Sequence, residues 1–437
     1  VRKTMTPMKQ FLRSAVILLL AAAGVLMHCG GAATASDQIV FDSIEMFKDV
    51  LGIVEEKYVE PVDQQKLIQA ALEGMLKSLD PHSSFLTPDV YKQLEAQTTG
   101  SFGGIGLEVT IVDSILTVVS PIEGGPAHRS GIRTGDQIIA IDDKPIKDLT
   151  ITDIVRRLRG PEGTKVKITF MRKTFKKPRD VTITRTTIKT PSIKYSYLDF
   201  NIGYIRISHF QEKTTDEVKQ AFGKFNDRLK PLTGVVLDLR NNPGGLLEEA
   251  LLLSEFFLKE GQVIVSIKGR DPDAEAEFTA EAYGGKPTCP VIVLVNEGTA
   301  SAAEIVTGAL QDSGRAVIVG TKTFGKGSVQ GVIPFRDGSA ITLTIALYYT
   351  PKGRSIQAEG IIPDIKVEPT ETSESAEQEP VLREKDIETH LRGEEESKST
   401  QGKNQTNRDQ DIAEDNQLKV ATDLLKSWDI LRQEVKD

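Results

Sequence analysis

The chain has 437 residues, 39% of them hydrophobic and 27% charged, with a formal net charge of −8. That length is too great for one compact core and implies about two to four domains, while the composition is that of an ordinary soluble protein. The acidic balance, with no basic stripe along the chain, excludes a nucleic-acid binder.

The first segment, VRKTMTPMKQFLRS, is basic and leads into an apolar run of 13 residues, Ala15–Met27. The run is short for a membrane span and has the length of a signal-peptide core. ATAS then offers a cleavage site after Ala35, so residues 1–35 read as a signal peptide of an exported, periplasmic or cell-envelope protein. If the segment is kept, it ties the protein to a membrane. Cys29 follows His28, a poor residue before a lipidated cysteine. After cleavage only Cys289 remains, and no intrachain disulfide can form.

Residues 36–98 carry two helical patterns, Phe41, Ile44, Phe47, Leu51, Val54 and then Leu67, Ala71, Leu72, Met75, Leu76, Leu79. Together they read as a helical arm. Residues 99–187 change to short β segments punctuated by glycine (GGIGLEVTIVD, ILTVVSPI, DQIIAID, VKITFMR), with one helix, TITDIVRRL. Residues 188–367 alternate strand and helix, which predicts an α/β layer with largely parallel strands. Residues 368–410 are acidic and without periodicity, and read as a flexible linker. Residues 411–437 regain a pattern, Leu418, Ala421, Leu425, Trp428, Leu431. This is an amphipathic helix capped by Asp415 or Asn416, which must dock on its own core or on a partner subunit.

In the α/β region Ser301 stands between the apolar strand CPVIVLV and a helix, where nucleophiles are often presented. Of the five histidines only His209 lies in this region, and nothing in the sequence brings it to Ser301. The alternative base is a lysine whose pKa is lowered by burial. GTKTFGKGSVQ offers Lys322 and Lys326. Lys326 is favoured because Gly325 and Gly327 let the backbone approach another element, and because Lys326, Ser328 and Gln330 would alternate onto one strand face. Gln330 could then orient the ammonium without adding a charge. The Ala302 amide, at the helix start, and an amide of Gly244 or Gly245 in NNPGG would form an oxyanion hole at the carboxyl ends of the strands. Glu304, one turn past Ser301, could support the site by hydrogen bonding.

The order of these segments resembles the C-terminal processing peptidases, or tail-specific proteases, which are serine proteases with a Ser-Lys dyad. YVEPVD and LDPHSSFLTP look like the family's N-terminal arm, and GGIGLEV and SPIEGGPAHRSGIRTGDQIIAIDD like its PDZ domain. LDLRNNPGG, VNEGTASAAEI and GTKTFGKGSVQ look like its core and catalytic segments, and DNQLKVATDLLK like its C-terminal helix. The resemblance implies an α/β protease core of ββα-type units with an inserted PDZ domain and an N-terminal helical arm. It also implies Ser301 as nucleophile, Lys326 as base, Gln330 as its orienting partner and Glu304 as an acidic residue near the site. The acidic stretch Glu368 to Lys398 looks least like the family.

In the PDZ reading, the amides of Gly104, Ile105, Gly106 and Leu107 would wrap a substrate's terminal carboxylate, while Ile105, Leu107 and Ile154 line a pocket for its last side chain. The partners are then protein substrates with exposed apolar C-terminal tails, and the arm and terminal helix are natural contacts for a homodimer. No metal, nucleotide or other cofactor is implied, since there is no H-E-x-x-H, no clustered His/Cys set and no P-loop. Two rivals are a PDZ scaffold, which would need neither Ser301 nor Lys326, and a histidine-triad PDZ protease, which would carry G-x-S-G-G.

Overall fold

The computed structural model describes residues 35–112, 115–147, 149–227, 231–270, 275–282, 286–370, 383–387, 390–391 and 415–434. The leader expected at the N-terminus and most of the expected linker lie outside them. The chain divides into two units, residues 1–72 and 73–437.

In the first unit, helix α1 (Ala35–Lys57) carries the stripe read from the sequence, and Phe41, Ile44 and Phe47 on it are exposed. Helix α2 (Gln64–Lys77) starts on an Asp63 cap, whose Oδ1 accepts from the Gln65 amide at 2.9 Å, and continues into the second unit.

The second unit begins with β1 (Ser84–Leu86) and α3 (Pro88–Thr98), which has Thr87 as its N-cap and proline in the first turn. Strand β2 (Ser101–Gly104) then leads into an inserted module. Its elements are β3 (Leu107–Val112), β4 (Ile115–Pro121), α4 (Pro126–Arg129), β5 (Gln137–Ile141), β6 (Lys144–Pro145), α5 (Ile151–Leu158), β7 (Lys165–Met171) and β8 (Arg179–Thr184). The chain leaves along β9 (Thr186–Lys189), which pairs antiparallel with β2, so both crossings run side by side. The module's sheet has the order β3-β4-β5-β7-β8 and its own core, including Ile105, Val118, Ile138, Ile154 and Ile168.

The core follows as β10 (Ile193–Leu198), β11 (Ile202–Ile207), α6 (Thr214–Asn226), β12 (Gly234–Asp238), α7 (Leu247–Phe257), β13 (Val263–Gly269), β14 (Ala276–Thr279), β15 (Val291–Val295), α8 (Ala302–Asp312), β16 (Val317–Gly320), β17 (Ser328–Pro334), β18 (Ala340–Tyr349), β19 (Ile365–Lys366) and α9 (Asn416–Glu434). The central sheet has the order β10-β11-β12-β15-β16-β19, and every neighbouring pair is parallel except β10 and β11. Strands β12 and β15 are buried at every position, which is why they read as unbroken apolar runs rather than as alternation. One face, with Ile205, Leu237 and Val293, packs on α6, α7 and α8 through Phe222, Leu253 and Val306. The other, with Tyr204, Val236, Ile292 and Leu294, is covered by Leu418, Ala421 and Leu425 of α9. The terminal helix therefore docks on its own core. Asp415 rather than Asn416 caps it, accepting from the Leu418 amide at 3.0 Å, and the same carboxylate pairs with Arg240 at the end of β12.

Two features differ from the sequence reading. A second sheet, antiparallel, in the order β1-β18-β13-β14 with β17 also on β18, stands beside the parallel one, so residues 84–86 of the expected arm belong to the core. Inside the expected flexible linker, residues 384–386 form a single 3-10 turn seated on the core. Glu384 there is fully buried, and its amide donates to the Phe324 carbonyl at 3.3 Å.

Candidate active site

Strands β12, β15 and β16 are parallel neighbours, so the loops after them, 239–246, 296–301 and 321–327, emerge at one edge of the sheet. Side chains and backbone tie these loops together. Asn296 Oδ1 accepts from the Asn241 amide and its Nδ2 donates to Asn241 Oδ1, each at 2.8 Å. The Ala300 amide donates to the Asn242 carbonyl at 2.9 Å, and the Phe324 amide to the Thr299 carbonyl at 3.0 Å.

Ser301 is half-buried and sits at the N-cap of α8 with φ 54° and ψ −119°. A non-glycine residue rarely adopts this conformation, and the strain is held by the surrounding hydrogen bonds. It turns the chain sharply from strand into helix, leaving the Ala302 amide in the first turn, where no intrahelical acceptor exists for it. Gly244 packs directly behind. A Cβ built there would lie 2.9 Å from Ser301 Cβ and from the Ala302 nitrogen, so only glycine fits.

The two candidate glycines are not equivalent. Gly244 is buried and its amide donates to Asn242 Oδ1 at 2.9 Å, whereas Gly245 is exposed and its amide has no acceptor among the described hydrogen bonds.

Glu304, fully buried, is the junction of the site. Its Oε2 accepts from the amides of Ser301 and Lys326, both at 2.9 Å, and its Oε1 from the Gly325 amide at 2.8 Å and the Thr323 hydroxyl at 2.5 Å. Burial pushes its carboxyl up to about 7, against the pull of these four donors.

Lys326 is partly buried and makes no ion pair among the described residues. Burial holds its ammonium below the ordinary lysine range, opposed through space by Glu384, Asp80 and Glu304. Lys322, the other candidate, is shifted the same way, also by burial.

Of the three residues expected to alternate onto one strand face, Ser328 and Gln330 share a face of β17, with Gln330 Nε2 3.4 Å from Ser328 Oγ, whereas Lys326 precedes the strand. The register shift beside them has its extra residue, Ile345, on β18. Gln330 Nε2 donates to Thr344 Oγ1 at 2.7 Å, and no hydrogen bond joins the side chain to Lys326. Its Oε1 is buried and has no hydrogen-bond partner among the described residues, so an acceptor is left over on this side chain.

His209 is not joined to Ser301. Its ring nitrogens meet Ser208 Oγ at 3.0 Å and Gln211 Oε1 at 2.8 Å. The sequence reading missed His82, Asp80 and Glu384. His82 Nε2 lies 2.8 Å from both carboxylate oxygens of Glu384, while Asp80 accepts from the amides of His82 and Ser83. The turn DPHSS was the available signal for the first two; Glu384 had none. Among the described residues no group of His, Cys, Asp or Glu side chains is arranged to hold a metal ion.

In the module, Ile105 and Ile154 are buried in its core and Leu107 is half-buried against it, with Gly104 buried and Gly106 at φ 69°. Strand β3 is the edge of the module's sheet, so its outer hydrogen-bonding row is open to an added strand.

Comparison with known proteins agrees with this arrangement. Residues 201–367 match peptidase family S41, residues 117–172 a PDZ domain, and residues 27–89 the N-terminal domain of the activating protease CtpB. The chain is 41% identical over 383 residues to a carboxy-terminal-processing protease of Bartonella bacilliformis, covering 87% of this chain and 88% of that one. It is 38% identical over 316 residues to the carboxy-terminal processing protease CtpA of Bacillus subtilis, covering 72% and 67%. A solved photosystem II D1 C-terminal processing protease shares 31% identity, covering 75% of this chain and 88% of that one, with a TM-score of 0.44. With a relative of this identity spanning most of both chains, and with the core and PDZ matches in their expected places, the chain belongs to peptidase family S41 as a serine-type carboxy-terminal processing protease.

Proposed function

We propose that this enzyme is an exported endopeptidase that holds the C-terminal tails of protein substrates on its PDZ domain and cleaves them with a Ser301–Lys326 dyad. Ser301 Oγ attacks the scissile carbonyl and Lys326 Nζ takes its proton. The developing oxyanion is held by the Ala302 and Gly245 amides. Lys326 returns the proton to the leaving amine as the C–N bond breaks, leaving an ester on Ser301. Water then attacks the ester with Lys326 again as base, and the acid product and free serine are released.

The observation that carries this reading is the state of Lys326, a lysine whose proton affinity burial lowers, without an ion pair among the described residues, and whose backbone amide hangs on the same carboxylate as that of the serine. A lysine can act as a base only in its neutral form, and burial favours that form.

A tail enters as a strand beside β3, its carboxylate on the amides of residues 104–107. Residues 1–35 direct export, and their removal or retention decides between a free and a membrane-tied enzyme. The exposed apolar face of α1 suits a second copy of the chain.

The test is cleavage of an unstructured protein with an apolar C-terminal tail, comparing the parent with Ser301→Ala, Lys326→Ala and His209→Ala. Loss of turnover by about 10³-fold or more in the first two, with the third near the parent, is expected. An active Lys326→Ala enzyme would sink the dyad.

A further inference from the structure

Residues 383–387 leave no trace of a site in the sequence, yet they sit against the loop that carries Lys326. Glu384 is tied to that loop on one side of the lysine directly and on the other through Gln357. Its amide donates to the Phe324 carbonyl at 3.3 Å. Its Oε1 accepts from Gln357 Nε2 at 2.9 Å, and Gln357 Oε1 in turn accepts from the Gly327 amide at 2.9 Å. The carboxylate is fully buried. A second element, the turn 80–83, closes over it with His82 Nε2 at 2.8 Å from each oxygen, and is itself pinned to β18 by the Thr342 hydroxyl on the His82 carbonyl at 3.1 Å. Nothing in the mechanism above uses this buried acid, and a buried carboxylate without a function is costly to retain.

We propose that Glu384, held by His82 and Gln357, is a positioning residue for the general base: its charge stabilises the ammonium that Lys326 becomes on receiving the serine proton. The inference rests on the reading of Lys326 as base. Glu384 does not pair with the lysine, so neutral Lys326 remains accessible, but its field favours the charged form at the moment that form is made. The carboxylates acting on Lys326 are Glu384 first, then Asp80 and Glu304. Those facing Glu384 are the lysine itself and His82, with Arg383 and Lys385 flanking it on its own turn. A buried acid that steadies a charged base without accepting its proton is the part the third member plays in a catalytic triad. Here the acid comes from an acidic segment between the last strand of the sheet and the terminal helix.

The experiment uses the full chain and follows kcat and KM for a tailed, unstructured protein from about pH 6 to 10 in the parent, Lys326→Ala and Glu384→Gln. With the carboxylate made neutral, Lys326 holds its proton less tightly. The rising limb of kcat/KM should then move down by on the order of one pH unit, while plateau kcat falls several-fold and KM stays within about twofold. An inactive Lys326→Ala with that shift supports the proposal. An inactive Lys326→Ala beside a folded Glu384→Gln whose limb stays at the parental pH overturns it and leaves the dyad intact. An active Lys326→Ala overturns both. Should Glu384→Gln fail to fold, Glu384→Met, of similar volume and also uncharged, takes its place, and a limb that stays at the parental pH again overturns the proposal.

Discussion

The backbone amides of Ser301 and Lys326 donate to one and the same oxygen, Oε2 of Glu304, each over 2.9 Å. They are 25 positions apart and on different loops, yet their backbones cannot drift independently while that carboxylate is in place. The geometry between the proposed nucleophile and the proposed base is therefore set by a third side chain buried beneath both.

Replacing Glu304 by Gln keeps the shape but gives one side of the group an NH2 where the structure presents only donors. At least one of the four donors loses its acceptor, and an unsatisfied buried donor costs about 1–3 kcal/mol. We expect Glu304→Gln to lower kcat by about 10²-fold or more with little change in KM, since the groups it holds act on the reacting bond rather than on tail capture. Steady-state kinetics on a tailed substrate, with a urea titration for stability, checks both parts.

The same carboxyl makes stability depend on pH. Its folded-state pKa is raised to about 7 from an ordinary 4.5. Between those values the folded protein holds a proton that the unfolded chain has released, so this group's contribution is fully present below about 4.5 and is lost as pH rises through about 7. Its share amounts to as much as about 3 kcal/mol. The urea midpoint of the parent should fall more between pH 5 and 8 than that of Glu304→Gln, and equal falls would show that Glu304 does not titrate in this range.

Gln330 offers a test of charge near the proposed base. Its Oε1 is buried without a partner among the described residues, and Gln330→Glu places an anion there at almost constant volume. The anion stabilises protonated Lys326, so the rising limb of kcat/KM should move to higher pH by about 1–3 units, opposite in sign to the shift from Glu384→Gln. Activity near neutral pH should fall accordingly.

Gly244→Ala should abolish turnover without removing any chemical group. The glycine has φ 100°, and a Cβ there would stand 2.9 Å from the Ala300 oxygen, the Ala302 nitrogen and Ser301 Cβ. The loop must shift, and with it the neighbouring Gly245 amide. Loss of about 10²–10³-fold in kcat is expected, as for the loss of one oxyanion donor. Binding of a tail peptide to the PDZ domain, measured by calorimetry, should be unchanged.

Leu425→Ala probes the cover of the sheet's second face. Leu425 is fully buried and packs so closely on β12 that a Cβ at Gly234 would lie 2.5 Å from its Cδ2. Truncation should cost about 2–5 kcal/mol in a denaturant titration. Arg240, between Asp238 and Asp415, links this helix to the start of the Gly244 loop, so some loss of kcat should accompany the loss of stability.

What the sequence made legible was local or periodic. The apolar runs of β12 and β15, the turn that presents Ser301, and the amphipathic face of α9 each announce themselves within about ten residues of chain. What stayed hidden depended on distant pairings. Ser84–Leu86 finds its partner at residues 340–342, and no pattern in three residues foretells that. Strand alternation put Lys326 on one face with Ser328 and Gln330, but Lys326 lies ahead of β17, where no strand period applies. Glu384 looked like one more solvated acid in a charged stretch, because burial is decided by the tertiary fold and not by its neighbours in sequence. The difference between the Gly244 and Gly245 amides lies in the Asn242 side chain, an acceptor already in place for the first.

The pairing of β2 with β9 makes the PDZ module a cassette. The strands are antiparallel, and Gly104, on the way in, stands opposite Thr186, on the way out. The two crossings are therefore about 5 Å apart. Everything between them can be lifted out and the gap closed as a hairpin by a short turn, or filled by any domain whose own ends lie close together, as those of most domains do. The protease core then keeps its register, and address and blade become separately interchangeable parts.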